Sequence, residues 1–495
     1  MSKAIIALDL GTTSCRALVF SLEGRVLGQA SRTYPLATPH PGWVEQDPAL
    51  LLAAADAVVP EALARAGLTP ADVAGLVLCT YMHSLIGLGA QGEYLTPLIT
   101  WADTRSVAQV EAVRAMADWH ELYARTGCPP HTMYPLYKFL WFKEHHPSLL
   151  TGATRWASIK ELLLHHWTGQ WALDYNLATG TGLLNCHRLD WDAEALALAG
   201  VRRAQLPPVV PNRQTFPLLS GRLGLLPGTP VVVGAGDGVL SSLGAGAIEP
   251  GIVAAMVGTS GAVRACVPAP VADPQARVFC YYLDQNRWIL GGSLNNGGIA
   301  LQWARDLLYP GATSYAEMEA EAAAVPPGAG ALLFLPYLAG ERSPGFNARA
   351  RGTWFGLGLE HKRPHLARSV YEAIAFRLNS VLGPIDELIG GVREVRATGG
   401  FARSALSLQI CADVFGREVL VPDEKEGSAL GAFVLGAVAL GVAPDLSWVH
   451  RFSNIEERVQ PTGDSYAELF GLYQRVFRSL QAEYLALAQI RERSV

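Results

Sequence analysis

The sequence predicts an α/β protein of two domains, and three observations predict it. Short apolar, strand-like runs alternate with amphipathic helical stretches, which implies a sheet covered on its faces. A hairpin of two apolar runs around a Gly-Thr turn stands near the start and recurs midway, where a second domain would begin. At 495 residues the chain exceeds what one ordinary core supports.

The elements follow in order. "IALDLGTTSCRALVF" (6–20) reads as two strands around a tight polar knot, and "RVLGQASRTYPL" (25–36) extends them into an antiparallel meander, with "SLEGRV" as the turn. "ALLLAAADAVVPEALARAG" (49–67) is a helix and "DVAGLVLCTY" (72–81) the strand after it. "TPVVVGAGDGVLSSLGAGAI" (229–248) reads as strand, Gly-rich turn and helix, and "GIVAAMVGTSGAVRACV" (251–267) repeats the opening hairpin. The boundary is placed near residues 245–250, in "GAGAIEPG", giving domains 1–246 and 247–495. "REVRATGGFARSALSLQICADVFGREVLVP" (393–422) is strand, Gly-Gly turn, helix, strand. "EKEGSALGAFVLGAVALG" (424–441) is a core helix, and "YAELFGLYQRVFRSLQAEYLALAQ" (466–489) a terminal amphipathic helix.

Composition bounds the function. Half the residues are hydrophobic and 17% charged, as in a globular protein. A formal net charge of -5 leaves no electrostatic footprint for nucleic acid or an anionic membrane. The seven cysteines, at 15, 79, 128, 186, 266, 280 and 411, are scattered with no CxxC, the pattern of reduced buried thiols. Lys3 and the apolar run after it imitate a signal peptide, but Asp9 and the Gly-Thr-Thr-Ser turn interrupt it early. "ALGAFVLGAVALGVAP" (429–444) falls short of the ~20 apolar residues of a spanning helix. The expectation is a soluble cytoplasmic protein that engages neither nucleic acid nor membrane.

Four features carry chemistry. In the first turn, glycine permits a tight hairpin, and N–H groups with Thr and Ser hydroxyls can wrap phosphate oxygens. Asp9 beside such oxygens calls for a cation, and Mg²⁺ is the natural one. An ordinary hairpin with a surface acid is the plain alternative, and the second loop at Gly258-Thr259-Ser260 weighs against it, because two such hairpins can clamp a triphosphate between domains. Asp237 in "GAGDGV" is either a turn residue capping the next helix or a general base for a substrate hydroxyl. "TYMHSLIGL" and "LITWADTRS" present Met82, His83, Ser84, Trp101, Asp103 and Arg105, an aromatic and polar set suited to a polyol. For His83 alone a satisfied core histidine is the default. "PYLAGERSPGFNARARG" (336–352) reads as a solvated loop or as the edge of a hinge.

Together these segments resemble the FGGY carbohydrate kinases of the actin/hexokinase-like ATPase superfamily. The landmarks are "DLGTTSCRALVF", "GWVEQDP", "MHS", "TWADTRS", "GDGVLSSLGAGA", "VGTSGAVR", "GERSPGFNARARG", "TGGFARS" and "EGSALGAFVLGA", in order over nearly the whole chain. The resemblance implies two ribonuclease H-like domains with ATP and sugar in the cleft between them. It implies that Asp237 is the catalytic base and that Asp9 serves the Mg²⁺ site. Thr12, Thr13, Ser14 and Thr259 would contact phosphates, with Arg16, Gly258 and Gly298 completing the nucleotide set. Gly399 and Gly400, with Ser404 nearby, would flank the adenosine. "FARS" here replaces the Asn that glycerol kinases carry, which leaves the adenine contacts open.

The sugar is read from the same resemblance. Glycerol kinases place Arg-Glu where this chain has Met82-His83, and xylulokinases have Met-His-Gly. Met-His-Ser with "LIGL", "TGCPPHTMYPLYKFLWF" and "SIKELLLHHWTGQWALDYNLATGTGLLN" looks like the gluconate kinases. The implied substrate set is Met82, His83, Trp101, His131, Met133, Asp237 and Gly238, and the implied substrate D-gluconate. Its carboxylate would want a cation, from Arg105, His131, Lys138 or Lys160. A pentulose kinase such as xylulokinase is the alternative, and a catalytically silent actin-like nucleotide sensor is the rival of another class. Family members are often dimers, so a homodimer is expected by analogy.

Overall fold

The structure is a computed structural model that describes residues 4–309, 311, 314–423, 426–463 and 466–493. The described chain forms two compact units. Unit 1 comprises residues up to Ile248 together with Val267–Ile289 and Glu426–Ser453, and unit 2 comprises Glu249–Cys266, Leu290–Lys425 and the segment from Asn454 on.

Unit 1 is built on a six-stranded sheet. Its strands are β1 (Ala4–Leu10), β2 (Ser14–Ser21), β3 (Val26–Thr33), β4 (Val73–Thr80), β5 (Thr215–Pro217) and β6 (Pro230–Gly236), in the order β5-β6-β4-β1-β2-β3. The expected meander is there, since β1–β2 and β2–β3 pair antiparallel. Every residue of β1 is buried, as a strand covered on both faces must be. Helix α1 (Pro48–Arg65) follows, with Pro48 at its first turn and Asp47 capping the Ala49 N–H at 2.9 Å. Helices α2 (Ile159–Thr168) and α3 (Tyr175–Thr179) precede β5, and α4 (Asp237–Gly244) follows β6 directly. Strands β1, β4 and β6 are parallel, with Leu10 opposite Thr80 and Thr80 opposite Gly236. Their carboxyl ends are therefore flush, the place where open α/β sheets bind ligands.

In unit 2, β7 (Ile252–Val257) and β8 (Gly261–Val267) form the second hairpin, antiparallel as expected. Strand β9 (Glu394–Gly399) runs parallel to β7, β10 (Val419–Pro422) parallel to β9, and β11 (Ile455–Val459) antiparallel to β10. Helices α5 (Gly298–Leu308), α6 (Arg363–Ile389) and α7 (Ala405–Phe415) belong to this unit.

The chain returns to unit 1 for α8 (Gly427–Ala439), which is buried over most of its length. Glu424 and Lys425, which open that predicted helix, lie outside the described residues. Among the described residues no helix is long and apolar enough to cross a membrane. The single C-terminal helix expected from the sequence is two, α9 (Ala467–Ser479) and α10 (Gln481–Arg493). Ser479 donates its hydroxyl to the Val476 carbonyl at 2.9 Å at the break, a back-bond that bends helices. All seven cysteines are buried free thiols.

Candidate active site

The Gly-Thr-Thr-Ser turn is closed by the Gly11 N–H on the Ser14 carbonyl at 2.8 Å. Three neighbours brace it. Tyr34 donates its hydroxyl to the Gly11 carbonyl at 2.5 Å, Gln46 Nε2 donates to the Thr12 carbonyl at 2.8 Å, and Trp101 Nε1 donates to Thr12 Oγ1 at 2.9 Å. Thr12 and Ser14 are half-buried and Thr13 is exposed. The turn is thus fixed from below while its outer side stays open.

Asp9 lies opposite Arg16 on β2 and Cys79 on β4. Its Oδ2 accepts from Arg16 Nη2 at 2.8 Å and from the Ser428 hydroxyl at 2.8 Å. Arg16 Nη1 reaches Glu426 at 2.8 Å, so one guanidinium joins two carboxylates. Asp9 Oδ1 accepts the Cys79 thiol at 3.4 Å. The Cys79 thiol is pushed well above its ordinary value, by burial first and then by Asp9 and Asp237. Both predicted acids therefore raise the same thiol at the carboxyl end of the sheet.

Asp237 is the first residue of α4, and the helix cap is Gly236 with no side-chain capping bond. Asp237 thus stands one residue inside the helix, after the cap position. Its Oδ1 accepts the adjacent Gly238 N–H at 2.6 Å, and both residues are half-buried.

Met82 and His83 leave β4 at the same sheet edge. His83 has a left-handed φ of 69°. Its Nδ1 lies 2.6 Å from the Gly180 carbonyl. A carbonyl only accepts, so Nδ1 carries the proton, and in the neutral ring Nε2 is left as an acceptor. Tyr134 and Tyr281 pack their rings against His83. His131 Nδ1 accepts the Met133 N–H at 3.1 Å, which puts the proton of that ring on Nε2.

Of the four cations offered for a substrate carboxylate, two are already committed. Arg105 binds Asp103 and Glu45 at 2.7 and 2.6 Å and lies over the Trp43 ring, with its side chain 3% exposed. Lys160 is paired with Asp174 at 2.9 Å, both wholly buried. Lys138 is also wholly buried and donates to the carbonyls of His83 and Met133, each at 2.9 Å. Burial pushes its ammonium down to about 7, with Asp103 pulling up and Arg105 pushing down. It ties the His83 and Met133 turns together.

In unit 2, Gly258, Thr259, Gly298 and Gly399 come together. Gly298 N–H donates to the Gly258 carbonyl at 2.7 Å, and Ile299 N–H to that of Thr259 at 3.1 Å, so α5 starts on the hairpin tip. Gly399 pairs with Val257, has φ 86°, and a Cβ there would lie 2.6 Å from the Val257 carbonyl. Gly258, Thr259, Gly399 and Gly400 are exposed. Ser404 caps α7 by accepting the Ser407 N–H at 3.0 Å. The loop 336–352 is largely buried or half-buried, with Ala339, Gly345 and Gly352 exposed. Glu341 is buried against Arg377 at 2.7 Å, and burial pushes its carboxyl up to about 7.

Three contributors escaped the sequence reading. Asn176 and Gly180 hold the ends of β6 and the His83 ring, and Ser428 reaches Asp9 from a helix read only as core. A buried amide or a carbonyl contact carries no sequence signal of its own.

Family models for the FGGY family of carbohydrate kinases match the chain in two blocks, the N-terminal domain over residues 4–244 and the C-terminal domain over 253–440. A gluconokinase of Bacillus subtilis (strain 168) is 37% identical over 99% of this chain and 98% of its own length. Two solved structures from Lactobacillus acidophilus, a gluconate kinase and a ligand-bound xylulose kinase, match 98% of this chain and all of theirs. Each has a TM-score of 0.93, at 34% and 35% identity. Matched by both domain models, which together span most of its length, this chain belongs to the FGGY family of carbohydrate kinases, enzymes that use ATP as phosphoryl donor.

Proposed function

We propose that the protein transfers the γ-phosphoryl group of ATP to the terminal primary hydroxyl of D-gluconate, giving 6-phosphogluconate. The observation that carries this reading is the flush edge of β1, β4 and β6, where Asp9, Met82-His83 and Asp237 emerge. The choice of sugar is supported by 37% identity to a gluconokinase across essentially the whole chain.

Asp237 accepts the hydroxyl proton as that oxygen bonds to phosphorus and the bond from phosphorus to the departing ADP oxygen breaks. Thr12, Thr13 and Ser14 in unit 1 and Thr259 in unit 2 present hydroxyl groups suited to phosphate oxygens, and Gly258 and Gly298 keep side chains out of the way beside Thr259. Gly399, Gly400 and Ser404 are assigned to the adenosine, and Arg16 to the nucleotide. Met82, His83, Trp101, His131, Met133 and Gly238 are assigned to the sugar acid.

The donor set fits a magnesium ion. Among the described residues no cluster of three or more His, Cys, Asp or Glu is placed to hold a metal. Mg²⁺ needs none, because it is held by one or two carboxylates, water and substrate phosphates. Asp9 Oδ1 accepts the weak Cys79 thiol donor, and a carboxylate oxygen with more than one lone pair keeps capacity for a metal-bound water. When bound, the ion would supply charge neutralisation at the phosphate oxygens.

A pentulose kinase is the second reading, favoured by the 35% identity to a xylulose kinase structure. A coupled ADP-release assay over gluconate, xylulose, ribulose, glycerol and fuculose separates the two. Strong turnover on gluconate supports the proposal, and turnover on a pentulose with none on gluconate rejects it. No sugar-stimulated turnover on any of them returns the silent sensor.

A further inference from the structure

We infer that the short helix α3 is the spacer between the proton-accepting carboxylate and the sugar, with Asn176 as a positioning residue for Asp237. This rests on the reading of Asp237 as base and of Met82-His83 as sugar-facing. Asn176 is wholly buried. Its Oδ1 accepts the N–H of Gly236, the residue before Asp237, at 2.7 Å. Its Nδ2 donates to the Tyr282 carbonyl at 2.8 Å, which fixes the amide in one orientation. Its own N–H donates to Asn212 Oδ1 at 3.2 Å.

The other end of α3 holds the sugar side. Gly180, which ends the helix, offers the carbonyl that His83 Nδ1 donates to at 2.6 Å. Met82 is wedged between the two ends. A Cβ on Gly236 would lie 2.5 Å from Met82 Cγ, and one on Gly180 would lie 2.6 Å from Met82 Cε. Two glycines flanking one methionine leave no slack between base and histidine.

The spacer is itself anchored. Asp174 Oδ1 caps α3 through the Leu177 N–H at 2.9 Å, and its Oδ2 takes Lys160 Nζ at 2.9 Å. Both charges are wholly buried, and removing one partner of such a pair leaves the other uncompensated. Lys160 and Asp174, the buried pair in "SIKELLLHHWTGQWALDYN", thus serve to seat α3.

The test compares Asn176→Ala, Gly180→Ala and Asp237→Asn by steady-state kinetics with gluconate and ATP, alongside thermal melting. Asn176→Ala is expected to lower kcat about 10²-fold, the scale of a reacting group misplaced by about 1 Å, with the ATP KM unchanged. Gly180→Ala, where φ is an ordinary -83°, is expected to raise the sugar KM about tenfold with a smaller loss of kcat. A folded Asn176→Ala enzyme with the parent's kcat overturns the proposal. If that variant does not fold, Gly180→Ala decides, and an unchanged sugar KM overturns it. Turnover retained in Asp237→Asn sinks the reading of Asp237 as base and the proposal with it. An inactive Asp237→Asn beside a normal Asn176→Ala sinks the positioning role alone.

Discussion

Trp101 donates its indole N–H to Thr12 Oγ1 at 2.9 Å, so the aromatic assigned to the sugar and the first hydroxyl of the turn assigned to phosphate are one mechanical piece. Trp101→Phe keeps a ring for the sugar and removes the bond. A lost hydrogen bond of about 1 kcal/mol corresponds to a several-fold effect. The expected result is a rise of that size in the ATP KM with the gluconate KM little changed. A change confined to the gluconate KM would show that the indole serves the sugar alone.

Asp9 shares Arg16 with Glu426 and receives Ser428, yet keeps Oδ1 toward a weak thiol donor. Asp9→Asn preserves shape and removes the charge. Titrating magnesium at fixed ATP, we expect the half-saturating concentration to rise about tenfold or more, as loss of a carboxylate from a cation site implies. An unaltered magnesium curve removes Asp9 from the metal side.

Helices α4 and α8 touch backbone to backbone. A Cβ on Gly431 would lie 1.9 Å from the Leu240 carbonyl, and one on Gly244 would lie 2.0 Å from that of Gly427. Glycine to alanine within a helix ordinarily stabilises by about 1 kcal/mol. Gly431→Ala is expected to do the opposite, costing about 1–3 kcal/mol through overpacking and displacing α4, which begins at Asp237. Gly383→Ala in α6, where a Cβ meets nothing within 4 Å, is the control and should raise the melting point. Equal effects of the two substitutions would contradict the packing account.

Glu161 sits in the first turn of α2, wholly buried, accepting the N–H and hydroxyl of Ser158. Burial pushes its carboxyl from 4.5 up to about 7. Its folded-state pKa is raised, so its stabilisation is complete below the unfolded value and lost as pH rises through about 7. That amounts to at most about 3 kcal/mol. Denaturant melts between pH 5 and 7.5 should show stability falling with pH in the parent and a flatter profile in Glu161→Gln. Parallel slopes for the two proteins would assign the pH dependence elsewhere.

The fold was legible because its signals are local and periodic. The β1–β2 and β7–β8 hairpins, the helix after Asp47 and the Gly-Gly turn after β9 each declare themselves by turn residues and alternation. The site was legible only as residue types on loops. Arg105, Lys138 and Lys160 read as cations for a substrate, but charge in a sequence does not name its partner. Asp103, Asp174 and two backbone carbonyls claim them. Asn176, Gly180 and Ser428 reach their partners across long sequence separations, and nothing in their neighbours announces that contact. The break between α9 and α10 hid because no Gly or Pro marks it in the sequence.

The most direct test of the central claim is a competition. Wild-type protein is given equimolar D-gluconate and D-xylulose with limiting ATP and magnesium, and both phosphorylated products are quantified by ³¹P NMR. Their ratio reads relative kcat/KM for the two sugars. The account predicts 6-phosphogluconate in excess of xylulose phosphate by about tenfold or more, the scale of a single well-placed recognition contact. Xylulose phosphate as the dominant product would contradict it.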